Sequence, residues 1–261
     1  MTTSSSLKLK RRIGRLLGLR NLRSLLGIPR KGEFKPGIAI TFDDTFTEEW
    51  LDLHDHFERV GGKATFYLTT PGKLSSDQIN AMYKLFLLRH ELGAHGFKHL
   101  NAKDFLQDHT PKDYFNEEVI PIAAFFRRHN IPLTSYAYPY GSRTEESDYE
   151  LLKYFHMLRG TTYTTPKRRV AQLDEAFVYK KGKGIVFGVG IDHNYGNTLD
   201  ELEEGLIRAK REHAVLVLYA HKPGKSKEKY HVDPDFIGEL LDRVVAHDLI
   251  FYTISELSIK S

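Results

Sequence analysis

The chain has 261 residues and 41% of them are hydrophobic, enough to bury a sizeable core in one large α/β domain or two small ones. It contains no cysteine, which excludes disulfides and thiolate metal sites and leaves His, Asp and Glu as ligands for any cation. The net charge of +4 is unevenly placed: residues 1–35 hold ten Lys/Arg against the single acid Glu33, which leaves −5 for the rest and argues against nucleic-acid binding by the body.

The first segment in chain order, LKLKRRIGRLLGLRNLRSLLGI at 7–28, has no acid at all. Leu9, Ile13, Leu16, Leu17, Leu19 and Leu22 follow an approximately helical spacing with cations between them. Three readings stay open. The segment is an interfacial helix at an anionic membrane surface, an acid-poor targeting peptide, or a solvated or packed surface helix. Arginines interrupt each apolar run, so it does not read as a secretory signal, and no stretch approaches the apolar length of a membrane span. The expected location is cytoplasmic or peripheral to the inner membrane face. The expected division is a basic amphipathic segment over 1–34 and one domain over 35–261.

From Gly37 onward, β-rich runs alternate with helical patterns. IAITF is followed by TEEWLDLHDHFERVG and then KATFYLT; further helical stretches lead into ELGAHG, TSYAYPYG, MLRGTTY, AVLVLYAH and LIFYTISEL. Strands alternating with helices predict a parallel sheet covered on both faces. About seven such units predict an irregular (β/α)7-type barrel with outer helices, whose functional residues sit where strands end.

The polar residues fall at those ends. Asp43 and Asp44 follow the first strand, His95 and His99 follow ELGA, Tyr138-Pro139-Tyr140-Gly141 closes another strand, and His221 follows AVLVLYA. Two imidazoles at i and i+4 with one carboxylate make a facial N/N/O ligand set with positions left for water. One aspartate of the pair can bind a cation while the other stays free as a base. Either aspartate can also cap the helix expected from Thr47, and two histidines at this spacing arise readily in a chain with 13 of them. His54, His56, His90, His109, His129 and His247 read as ordinary surface or packed histidines, and Trp50, Phe125 and Phe126 as helix core. Tyr138 and Tyr140 either line a sugar cleft or pack. The run HKPGKSKEKYH at 221–231 is a solvated loop or meets an anionic group on a ligand.

Several of these stretches, in this order, resemble the motifs of the polysaccharide deacetylases, carbohydrate esterase family four. TFDD at 41–44 is similar to the first motif, ELGAHGFKHLN at 91–101 to the second, YAYPYG at 136–141 to the third in its AYPYG form, VLVLYAH at 215–221 to the last, and LIFYTISEL to the closing strand. The resemblance implies one divalent metal, zinc first with cobalt, nickel or manganese as alternatives, bound by Asp44, His95 and His99. It implies Asp43 as general base, His221 as general acid for the leaving amine, and the backbone N–H of Tyr140 as an oxyanion donor. GIDHNYG at 190–196 stands in place of the fourth motif and makes Asp192 a candidate orienter of His221. Two positions depart from the pattern. Gly96 stands where the family has Ser or Thr, so a hydrogen bond behind the ligands is expected to be missing. Ala137 stands where most members carry the arginine that orients the catalytic aspartate, and Arg143 is a candidate substitute. The implied activity is removal of an N-acyl group, acetyl foremost, from an amino sugar of a cell-envelope glycan or its lipid-linked precursor. The alternative is a homologue that binds metal and glycan without turnover.

Overall fold

The run GIAITF forms β1 (Gly37–Phe42), in which all six residues are buried. Alternation sends Ile38, Ile40 and Phe42 into the layer beneath the helices and Ala39 into the barrel interior. The computed structural model describes residues 32–162 and 168–258; the basic stretch at 7–28 lies outside the described residues.

The sheet runs through β2 (Thr65–Leu68), β3 (Glu91–Ala94), β4 (Ser135–Ala137) and β5 (Met157–Thr161), all parallel. A two-residue β6 (Phe177–Val178) lies antiparallel on the outside of the order, then β7 (Gly184–Gly190) and β8 (Val215–Ala220) continue the parallel set. β8 pairs with β1 over six residues, from Gly37↔Val215 to Phe42↔Ala220, and so closes a seven-strand barrel. Short strands β9 (Lys222–Pro223) and β10 (His231–Val232) tie down the base of the loop after β8.

The count of seven agrees with the alternation in the sequence, but one member differs. LIFYTISEL contributes only β11 (Ile250–Phe251), paired with Gly37 and Ile38 at the entrance of β1. The seventh stave is β7, GIVFGVG, whose glycines and lack of a preceding α-helix hide it from a strand-helix reading. The residues after β11 plug the bottom of the barrel instead. Ile254 and Leu257 join the interior core, and the backbone N–H of Ser255 donates to half-buried Glu91 at 2.9 Å. Glu91 also accepts from Ser135 Oγ at 2.6 Å and Thr65 Oγ1 at 2.9 Å, so both of its oxygens are satisfied.

The outer core is aromatic near the site. Phe66 stacks on Phe42 and Trp50 with ring centroids 5.2 and 5.1 Å apart. Trp50 is fully buried on the helix Thr47–Asp52, and its Nε1–H donates to the His221 carbonyl at 3.0 Å. One side chain therefore fastens the first helix to the end of β8. Trp50→Ala removes a large core ring and this tie; we expect it to cost about 3–5 kcal/mol in urea unfolding.

Candidate active site

The two aspartates after β1 are separated by the backbone. Asp44 and Thr45 have φ of 77° and 67°, so the chain turns sharply after Asp43. Thr45 Oγ1 holds the turn by donating to Thr69 O at 2.8 Å and accepting from Thr69 N at 2.6 Å, at the end of β2. Asp43 is directed into the barrel and is buried; the Asp44 side chain is about 33% exposed at the rim. Neither caps the following helix, whose N-cap is Phe46 without a side-chain bond, so the capping alternative falls away.

Asp44 lies beside both histidines of the second motif. Its Oδ1 is 3.2 Å from His99 Nε2 and 3.5 Å from His95 Nε2, and the two Nε2 atoms are 3.3 Å apart. His95 Nδ1 donates to the Ala137 carbonyl at 2.9 Å, which leaves the Nε2 lone pair facing the cluster. Burial opposes ionisation of Asp44. Hydrogen bonds from His95 and His99 and the charges of His95 and His221 outweigh it and hold the carboxyl well below the usual range. A carboxylate and two imidazoles whose ligand atoms lie within 4.8 Å of one another fit a divalent cation of the zinc type.

His99 is delivered by a left-handed residue, φ 62°, and the loop that carries it is held by Glu118. That carboxylate accepts from Lys98 N at 3.0 Å and His99 N at 3.2 Å. The loop is thus held by a carboxylate from another element, with no side chain at Gly96. Gly96 has φ 78°, and a Cβ there would lie 1.9 Å from Glu118 Oε2, so the space of the absent side chain is filled by the glutamate. Burial pushes Glu118 up to about 7, against the backbone N–H groups that favour its charge.

On the other side of Asp44, His221 follows β8 and Asp192 follows β7. His221 Nδ1 donates to Asp192 Oδ2 at 2.6 Å, and the His221 N–H donates to Asp192 Oδ1 at 2.9 Å. The free edge of the ring faces the cluster, with Nε2 4.0 Å from Asp44 Oδ2. Burial alone would lower the His221 pKa. The Asp192 hydrogen bond and the charges of Asp43, Asp192 and Asp44 raise it above the ordinary imidazole value.

Asp43 is paired with Arg159, whose Nη2 donates to both carboxylate oxygens. Arg143, the candidate suggested by the sequence, does not reach it. Its guanidinium pairs with Asp148. Tyr138 is buried, whereas Tyr140 is exposed and its ring lies 4.6 Å from that of His99. Tyr140 has φ 59°, which turns the chain over the rim at the third motif. The structure therefore brings Asp43, Asp44, His95, His99, Tyr140, Asp192 and His221 to one end of the barrel.

Arg159 and Glu118 escaped sequence reading for different reasons. A lone charge in the apolar strand MLRGT must be paired when buried, and that signal was available. Glu118 lies in a π-helical turn, Phe115–Val119, and nothing in its spacing points to the His99 loop.

The fold and the site together define an α/β barrel with a candidate metal centre at its rim. Residues 31–155 match the family model described as polysaccharide deacetylase. The resemblance carried by the sequence motifs is therefore borne out over this stretch. No curated protein matches it. Solved structures share the fold at low identity. The chitin deacetylase of the fungal pathogen Colletotrichum lindemuthianum has TM-score 0.58 and 14% identity, with 89% of this chain and 91% of that one covered. The peptidoglycan deacetylase PdaC of Bacillus subtilis has TM-score 0.55 and 14% identity, covering 85% and 90%. BA3943 of Bacillus anthracis, described as a CE4 family pseudoenzyme, has TM-score 0.55 and 14% identity, covering 85% and 65%.

Gly96→Ala should lower stability by about 2–4 kcal/mol in thermal unfolding, since it combines a positive φ with a clash on Glu118. In the Glu118→Ala background the same substitution should cost less, because the clash is gone.

Proposed function

We propose that this chain is a metal-dependent N-deacylase that removes an acyl group, acetyl foremost, from an amino sugar of an envelope polysaccharide or its lipid-linked precursor. The observation that supports it most directly is the placement of Asp43 and His221 beside the Asp44/His95/His99 cluster, 3.9 Å from His95 and 4.0 Å from Asp44 respectively, each held by its own buried partner. An amide is a poor electrophile and an amine a poor leaving group, so the reaction needs help at both ends. A zinc-type cation held by Asp44, His95 and His99 supplies Lewis acidity toward the carbonyl and lowers the pKa of water. Asp43 accepts a proton from the attacking water as the new C–O bond forms. His221 Nε2 donates a proton to the nitrogen as the C–N bond breaks, while Asp192 holds Nδ1 in its protonated form. The backbone N–H of Tyr140 is assigned to the developing oxyanion. The products are a carboxylate and a free amine.

The other reading is a homologue that binds glycan and metal without turnover; a protein of the same fold is described as a pseudoenzyme. The two departures that motivated it, Ala137 and Gly96, are each accompanied by a polar group from elsewhere, Arg159 and Glu118. That favours the active reading. Incubation of metal-loaded protein with acetylated chito-oligosaccharides and with acetylated peptidoglycan fragments tests it: release of acetate is expected, and glycan binding without acetate on either substrate supports the inactive homologue.

The two aspartates should fail differently. Asp43→Asn keeps the side-chain shape and should retain metal by elemental analysis, with turnover down by a factor on the order of 100 or more. Asp44→Asn should lose metal first, with activity partly restored by excess metal. Asp192→Asn removes the leading effect that raises the His221 pKa. Because His221 acts protonated, the alkaline limb of the kcat/KM profile should move to lower pH in this variant.

A further inference from the structure

Arg159 is fully buried inside the barrel, and a buried guanidinium is costly to keep there. Its attachments are few. Nη2 alone donates, to both oxygens of Asp43; Nε and Nη1 have no hydrogen-bond partner among the described residues. The rest of the group is faced by rings, with Tyr67 and Tyr219 centroids 5.5 and 5.1 Å from its central carbon. A residue kept for stability alone would be better served by an apolar side chain, because a buried ion pair rarely exceeds a packed hydrophobic one. What this arrangement does secure is the place of one carboxylate. Asp43 Oδ2 lies only 3.9 Å from His95 Nε2, close enough for a small rotation to bring it to the cation cluster as a second carboxylate. The buried guanidinium engages both oxygens of the carboxylate and opposes that rotation.

We propose that Arg159 is a positioning residue that keeps Asp43 off the cation and oriented as a proton acceptor at the rim. The assignment rests on the deacylase reading for the role of Asp43, but not for its geometry. Position 137 gives an independent handle. Ala137 is the register partner of Arg159 on the neighbouring strand, so the two side chains leave the sheet on the same interior face. An arginine supplied from 137 would enter the same interior space as the side chain at 159, which makes it the variant to test.

The test uses full-length protein loaded with Co2+, which reports its ligand number in the visible spectrum. Arg159→Met and the more conservative Arg159→Lys are compared with wild type, and thermal melts verify that at least one of them is folded. Three readouts are taken: metal content, the Co2+ spectrum, and kcat and KM on an acetylated chito-oligosaccharide. In the folded variant, metal should stay near one per chain, and kcat should fall about 100-fold with KM changed by less than about threefold. The visible bands should weaken as Asp43 enters the coordination sphere. Adding Ala137→Arg to Arg159→Met should restore at least about tenfold in kcat and return the wild-type spectrum. A kcat within about threefold of wild type overturns the proposal, as does a loss of kcat with neither a changed spectrum nor restoration from position 137. If wild type releases no acetate, the deacylase reading fails while the spectrum still decides this one: unchanged bands in the folded variant overturn it, and weakened bands that return with Ala137→Arg uphold it.

Discussion

The six-pair parallel ladder between β1 and β8 turns scattered stretches of sequence into one site. Without closure, Asp43 and Asp44 on the first strand and His221 on the last would stand at opposite edges of an open sheet. With it, Phe42 faces Ala220, and the residues that follow each of them meet across a single hydrogen-bonded pair. The parallel direction matters as much as the closure, because it puts every strand's downstream end on the same rim. The bottom is then free to be filled with Ile254, Leu257 and the satisfied carboxylate of Glu91.

On that rim, the chemistry depends on separating like groups. Two adjacent carboxylates in a regular strand would differ only in the face they point to. The positive φ at Asp44 and Thr45 gives them different surroundings as well. Asp43 is directed down among buried aromatic rings and a guanidinium, whereas Asp44 stays at the edge with two imidazoles. The imidazoles are separated in the same manner. His95 is committed by its bond to the Ala137 carbonyl, and His221 by its bond to Asp192, so their free nitrogens have different neighbours.

The departures from the usual motif pattern are instructive because they are local only in sequence. Gly96 lacks a side chain, yet the volume it vacates is occupied by Glu118, twenty-two positions further on, which bonds the backbone of the His99 loop. Ala137 lacks a charge, and the charge that meets Asp43 comes from its register partner on β5. What the site needs is a polar group at a point in space, an acceptor in one case and a donor in the other, and neighbouring elements supply it from different positions in the chain.

The sequence by itself determined the alternation of strand and helix, the count of seven staves, the order of the motifs and the placing of the polar residues at strand ends. These follow from periodicity and residue chemistry, which are local. The tertiary structure decided which segment is the seventh stave, since the glycine-rich β7 has no periodic signature and becomes a strand only by pairing with β5 and β8. It also decided the partners of Asp43 and of the His99 loop. Arg143 lies close to the third motif in the chain, but its orientation sends it to Asp148; Arg159 lies farther along and is aimed into the barrel by the pleat of β5. Sequence distance carries no information about which way a strand's side chain faces across a closed sheet, and that direction selects the partner.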